Sequence, residues 1–466
     1  MKRALAALAA ATFLSSCSLG PFFEKPEIVT PPAWVQQTDG ANVWPDRTWW
    51  EGFGSAELDS FVAAATTGNY DLAAALSRIR QAEAQVRVAG AALLPSISAG
   101  AGANRNFTGR TSTTGATSRA VSNTYQASLN ASYQLDLFGG NKSNAEASAA
   151  RLQSSQFDRE TVAITLHSDV ASTYFLVLSL RDRIRLAEDT LRIAEEVLSV
   201  VQARLSLGAG SDLEVAQQRS TVASQRAAVV ALQQAETETI NALAVLLGRN
   251  PEGFMVQGNS LGDLQLPQVA AGLPSELLLR RPDLRSAEAG LRAGKFDVAA
   301  ARAARFPSID LSLQGGGQSA ALSGLFGPGG LFVGFGASLA APIFEGGRLQ
   351  AQEDLSAARY QELELTYRSA ILAAFRDTEN ALSSTTTSTS QYGYAREAYD
   401  QAREAYRIVE VQLRAGSVDF VTLLDAQRTV FQANDGLVQA DLARYNALVT
   451  LFEALGGGWD GTTATP

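Results

Sequence analysis

The sequence predicts a membrane β-barrel carried on long α-helices, to which each chain brings too few strands to close the wall alone. Three observations lead there. The stretch YQASLNASYQL, Tyr125–Leu135, alternates apolar and polar residues without a slip. Residues 141–207 contain neither Pro nor Gly, and a helix that long rises about 100 Å. The whole plan then occurs a second time in the same order.

The chain opens with Lys2 and Arg3, then the apolar run Ala4–Leu14, which has the form of an export signal over 1–16. LSSC, Leu14–Cys17, resembles the end of a bacterial lipoprotein signal, so Cys17 is the expected lipid-attachment residue and the start of the mature chain. Residues 17–67 read as a lipid-anchored arm rich in Pro and Trp, ending in a short helix near 56–66. A first repeat is expected over 68–275. It holds a helix ending at Pro95, strands at about 96–107 and 124–136, a long helix at 141–207 and a second helix at 212–248. A second repeat follows over 276–457, with strands at about 308–315 and 330–341 and helices at 348–413 and 419–455, before a tail at 458–466. Arg281–Pro307 matches the segment ending at Pro95 at an offset of 212, and DAQR at Asp425–Arg428 answers AQQR at Ala216–Arg219 at 209. Ser383–Gln391, SSTTTSTSQ, is poor helix material inside the second long helix.

The strands ask for lipid on one side and water on the other. Tyr125, Leu129, Tyr133 and Leu135 share one face, and Gln126, Asn130 and Gln134 the other. No internal segment reads as long and apolar enough for a transmembrane helix, which leaves a barrel as the way across. In lipid an unpaired strand edge costs several kcal/mol per polar group, and barrels begin at about eight strands. The chain is therefore expected to assemble with copies of itself. Strand arithmetic alone leaves the number of copies open.

Six segments then carry a resemblance: WWEGFGSAELD (Trp49–Asp59), RPDLRSAE (Arg281–Glu288), LDLFGG (Leu135–Gly140), PIFEGGR (Pro342–Arg348), RAGSVDFVTLLDAQR (Arg414–Arg428) and LFEALGGGW (Leu451–Trp459). Over nearly the whole mature chain the sequence resembles the TolC-type outer membrane efflux channels, NodT subgroup. That resemblance implies a homotrimer with a 12-stranded outer membrane barrel, four strands per protomer, above a long α-helical periplasmic barrel. It implies passive export of drugs or other toxic small molecules, with a periplasmic adaptor protein and an inner-membrane transporter of the RND type as partners. It also implies an aperture near the turns between paired helices. Asp425 matches the family's aperture aspartate, Val421 lies one turn away on the same face, and Arg428 is placed to hold helices shut through an ion pair. Thr422 stands where some relatives carry a second acid. Gly208, Gly210 and Gly416 mark the turns expected to meet the adaptor and to supply backbone freedom there. A type I secretion duct for proteins shares this architecture, and a coiled-coil surface protein would share its helices but waste its strands.

Composition removes other classes. A net charge of −9 gives no support to a nucleic-acid partner. One Cys and one His exclude a disulfide framework and an all-Cys/His zinc site, and His167 reads as a packing residue. No constellation of acids, bases or nucleophiles suggests an enzyme, and no cofactor is expected beyond lipid on Cys17.

Overall fold

The computed structural model describes residues 45–111, 117–269 and 274–459, with Pro26, residues 30–35, Gly272 and Gly461. The export signal and Cys17 lie outside the described residues. Helices α1 (Ala56–Gly68) and α2 (Tyr70–Ala91) lead into strands β1 (Ser96–Thr111) and β2 (Thr117–Leu135). The long helix α3 (Gly140–Ser206) and its partner α4 (Asp212–Leu246) follow. Next come α5 (Pro274–Arg280), α6 (Pro282–Ala303), β3 (Ser308–Ser319), β4 (Leu331–Ala340), α7 (Arg348–Arg414) and α8 (Phe420–Ala454). Every bound of α7 and α8 falls 208 residues after its counterpart in α3 and α4. The motif offset of 209 was thus one residue out of structural step, and Gln218 is equivalent to Ala426, not to Gln427.

The Ser/Thr run does not interrupt α7. Its hydroxyls turn back onto the preceding turn: Thr385 Oγ1 donates to the Ala381 carbonyl at 2.9 Å and Thr389 Oγ1 to that of Thr385 at 2.8 Å. Ser390 Oγ donates to the Thr386 carbonyl at 3.1 Å. Side chains that otherwise compete for the backbone are satisfied inside the helix.

The chain packs into two compact units, each drawing on both repeats. One holds Arg78–Ser155 and Ala287–Tyr367. It contains a four-stranded antiparallel sheet in the order β1-β2-β3-β4. Directly paired residues share a face, so the register tests the alternation. Leu135 pairs with Ile309 and Ile309 with Leu339. Ile97 pairs with Ala131, Ala131 with Leu313 and Leu313 with Phe335. Leu129 pairs with Gly315, which pairs with Val333. The alternate rungs read Ser98–Asn130–Gln314–Gly334 and Ser96–Ser132–Ser312–Gly336. One face is therefore apolar across all four strands, and its Ile97, Leu129, Leu313, Val333, Phe335 and Leu339 are exposed. From Leu135 to Tyr125 that face spans about 25 Å once strand tilt is allowed for, the height of a lipid-facing band. β1 and β2 continue well past their expected ends, pairing out to Thr111 and Thr117. The outer edges of β1 and β4 have no strand partner among the described residues.

The second unit holds Gln156–Ser286 with parts of Ile28–Ser77 and Arg368–Pro466. Its main core joins Trp49, Phe53, Leu58 and Phe61 to Val170, Tyr174, Phe175 and Leu178 of α3 and to Tyr445 and Phe452 of α8. Glu57 accepts the backbone N–H groups of Gln257 at 2.6 Å and Gly258 at 2.8 Å, tying the segment after α4 to α1. Against expectation, α3 does hold an 18-residue window of mean hydropathy 1.3, apolar enough by length and composition to cross a membrane. More than half of that window is buried inside the protein, and the apolar residues of α3 named above are core. His167 is buried there too. It shares a 3.0 Å hydrogen bond with the Thr66 hydroxyl and stands edge-on to Trp50 at 4.7 Å. Burial first, and Arg159 second, lower its pKa to about 4, so the ring is neutral at ordinary pH.

Candidate aperture at the paired helix tips

Both hairpins of the second unit turn by the same device. At the end of α3, Gly208 takes φ 71°, its N–H meets the Leu205 carbonyl at 3.0 Å and Ala209 N–H meets that of Arg204 at 2.9 Å. At the end of α7, Gly416 takes φ 74° and the N–H groups of Gly416 and Ser417 meet Leu413 and Gln412, each at 3.0 Å. This left-handed glycine closes the last turn of each helix. Gly210 acts differently from expectation. Its φ is not positive; a Cβ there would come within 3.1 Å of the Leu205 amide nitrogen and 3.2 Å of a Glu214 carboxylate oxygen. The next helix restarts on a cap in both cases. Ser211 and Glu214 form a reciprocal capping box, so Glu214 is committed to its own helix. Asp419 accepts the Thr422 N–H at 2.9 Å and the Thr422 hydroxyl at 2.6 Å. Those bonds, the side-chain one first, hold the Asp419 carboxyl below the usual aspartate range. Thr422, in the second-acid slot, is thus part of the cap.

Below the turns Val201, Val215, Phe420 and Leu423 form a small core that holds the ends of α3, α4 and α8 together, with Tyr406 and Leu413 of α7 packed against it. Leu423 and Gln427 mark the buried side of α8. Val421, Asp425 and Arg428 fall on the opposite side, at intervals of four and three residues, and so share a face. All three are open to solvent: Val421 is 56% exposed, and the Asp425 and Arg428 side chains are 64% and 70% exposed. Arg428 was expected to reach across to another helix. In this chain its guanidinium instead pairs with Asp425 one turn back on α8. The face thus presents an apolar side chain nearest the turn, then a carboxylate, then a cation.

The two hairpins differ in how their arms are joined. Between α3 and α4, Gln218 is fully buried and its amide donates to the Ala194 carbonyl at 2.7 Å. Arg226 reaches Glu195 at 2.6 Å, and Arg181 reaches Glu236 at 2.7 Å. Between α7 and α8, no side-chain hydrogen bond or ion pair crosses among described residues 393–436; farther from the tip the Arg444 guanidinium lies 3.9 Å from the centre of the Tyr392 ring and Thr378 Oγ1 donates to the Ala454 carbonyl at 3.4 Å. The polar tie of α8 goes to α3 instead, where Arg183 holds Asp435 at 2.6 and 3.3 Å. Gln427 is 2% exposed, and neither its amide nitrogen nor its amide oxygen has a partner. It lines a cleft of about 260 Å³ with Thr190, Tyr399, Arg403, Tyr406 and Phe431. Reading the sequence missed Gln427. The available signal was a Gln placed between Leu423 and Phe431 on an apolar stripe. Among the described residues no group of three His, Cys, Asp or Glu side chains is placed to hold a metal ion.

Comparison with known proteins identifies the family and the fold. Residues 62–249 and 273–457 match the family model described as outer membrane efflux protein. The chain is 40% identical to the pyoverdine export outer membrane protein OpmQ of Pseudomonas aeruginosa, over 98% of this chain and 97% of that one. It is 32% identical to the toluene efflux pump outer membrane protein TtgC of Pseudomonas putida, over 98% and 96%. Among solved structures it resembles the open state of the MtrE outer membrane channel of Neisseria gonorrhoeae, with a TM-score of 0.86 at 29% identity, covering 96% of this chain and 100% of that one.

Proposed function

The chain belongs to the outer membrane efflux protein family and is an outer membrane efflux channel, and we propose that its copies close the channel with the Val421–Asp425–Arg428 face of α8. The family and fold are those of channels. The chain works as the passive duct of a tripartite system and passes drugs or other toxic small molecules. The supporting names are those of relatives, one for pyoverdine export and one for toluene efflux, two small cargoes of unlike chemistry. A homotrimer supplies the missing strands, at four per copy. The turns at Gly208, Gly210 and Gly416 meet a periplasmic adaptor, which links the duct to an inner-membrane transporter of the RND type. Cys17 carries acyl chains that hold the arm to the membrane, and no other cofactor takes part.

One observation carries the aperture reading. An exposed apolar–acid–base face lies beside the turn of the hairpin whose arms, over described residues 393–436, are joined by no side-chain hydrogen bond or ion pair. Three copies would bring Asp425 carboxylates toward one axis, favouring cations and opposing anions. The function is tested by deleting the gene and challenging cells with a panel of toxic compounds. Sensitivity should rise and return to normal with the intact gene. Unchanged survival across the panel, in cells lacking other such channels, would remove the export reading.

A further inference from the structure

One cavity of the second unit lies beside a polar group that the protein itself does not satisfy. The cleft of about 260 Å³ is bounded by α3, α7 and α8, and Gln427 of α8 lines it. Gln427 is 2% exposed, and neither its amide nitrogen nor its amide oxygen has a partner. Buried side-chain amides in folded proteins nearly always find a partner, as Gln218 of the other hairpin finds the Ala194 carbonyl. A donor and an acceptor both left dry are costly, so the natural complement is a group that brings one of each. The rest of the lining narrows the chemistry. Tyr399, Tyr406 and Phe431 supply aromatic rings. Asp189 and Arg403, both exposed, are the only charged residues of the lining, and their signs cancel. An ion entering the cleft would therefore lose its hydration without meeting a net opposite charge.

We propose that this cleft binds a small, neutral, planar molecule carrying a cis amide, such as a lactam fused to an aromatic ring. A cis amide holds its N–H and C=O side by side, so one edge of the ligand accepts from Gln427 Nε2 and donates to Gln427 Oε1. The last torsion of a glutamine is soft, and the amide can turn that edge to the cleft at little cost. The rings of Tyr399, Tyr406 and Phe431 then pack on the ligand. The volume suits a molecule of about ten non-hydrogen atoms at interior packing density. A carboxylate or an ammonium would meet only half of the pair and would arrive charged. The occupant braces α8 against α7 near the tip, where no side-chain hydrogen bond or ion pair joins them among described residues 393–436. The site does not depend on the reading of the Val421–Asp425–Arg428 face.

The test uses the assembled channel in neutral detergent and two probes, 2-quinolone and N-methyl-2-quinolone. The second keeps the rings and the carbonyl but cannot donate. Binding is measured by equilibrium dialysis, with protein-free micelles as the blank. The wild type should bind 2-quinolone saturably and about tenfold more tightly than its N-methyl form. Gln427→Leu removes the amide and should bind the two probes alike. Gln218→Leu, in the other hairpin, should keep the wild-type preference. Absence of saturable binding, as when a neighbouring copy or a held water fills the cleft, would overturn the proposal. So would equal binding of the two probes by the wild type, or a preference that survives Gln427→Leu. If the leucine variant does not assemble, Asn434→Cys, elsewhere in the lining, locates the site. It should bind 2-quinolone until its thiol is alkylated and not afterwards, and binding that persists after complete alkylation would overturn the assignment.

Discussion

The α3–α4 and α7–α8 hairpins match in length, in their glycine-closed turns and in their capped restarts, yet different forces join their arms. The first is laced by Gln218, Arg226 and Arg181 to partners on the opposite arm. The second meets across apolar side chains and leaves the amide of Gln427 facing nothing. Apolar contact is non-directional and tolerates sliding, whereas a buried hydrogen bond holds one distance. Duplication therefore kept the backbone plan, while the ties near the tip stayed with one copy; the second hairpin keeps the Arg444–Tyr392 contact and the Thr378 bond to the Ala454 carbonyl toward its far end. The proposed aperture face lies near the tip of the loosely joined hairpin, where a shift of α8 breaks no hydrogen bond or ion pair to α7 among described residues 393–436.

The largest effect should come from the aperture face itself. Replacing Val421 and Asp425 together by Ala should raise ion conductance of single channels in planar bilayers several-fold, with weaker preference for cations. The equivalent double change at Leu213 and Gln217 on α4 should leave conductance near normal. Equal conductance in the two variants would erase the functional distinction between the hairpins.

Next in size is a difference between the long helices. His167 on α3 is held neutral, with its pKa lowered from 6.5 to about 4, whereas the equivalent position on α7 is Phe375. The unfolded chain takes up this proton first. The stability that depends on the neutral ring is full above pH 6.5 and is lost as pH falls from there to about 4, by about 3 kcal/mol at most. Unfolding followed against pH should show that loss, and His167→Gln should flatten it. A variant with the same acid slope would mean other groups are responsible.

The two glutamines sharpen the comparison directly. Gln218→Leu deletes a made hydrogen bond and leaves the Ala194 carbonyl without this partner, so it should cost about 1 kcal/mol or more. Gln427→Leu removes an unsatisfied buried amide and should be neutral or stabilising by about 1 kcal/mol. Denaturant midpoints that move the same way for both would contradict the difference in lacing. Smallest are the caps. Ser211→Ala and Asp419→Ala should each lower the denaturant midpoint slightly, by about the same amount in both hairpins. A markedly unequal cost would show that the turns differ after all.

Much of this was legible beforehand, because periodicity reports which faces need cover. The alternation of Tyr125–Leu135 foretold a face that the register extends over four strands. The Pro-free run foretold α3 to within a residue at each end. What was hidden depended on neighbours. The outer rungs of β1 and β2 mix Thr, Ser, Gly and Arg, which show no apolar–polar alternation to read. Asp425 is the one acid within a turn of Arg428, but a sequence does not say whether that arginine stays on its own helix or reaches another, and the coordinates show that it stays. The hydropathy of α3 was underrated because its apolar residues are spread over a surface that α1 and the Trp49–Phe53 turn cover.

The bare edges of β1 and β4 bear on inheritance. A chain that cannot complete its own wall shares the fate of the chains it joins. A proline placed mid-strand in β4 would leave one seam unable to pair. Ring-shaped assemblies that include even one such subunit would fail, so the damaged allele should act dominantly over a normal gene in the same cell.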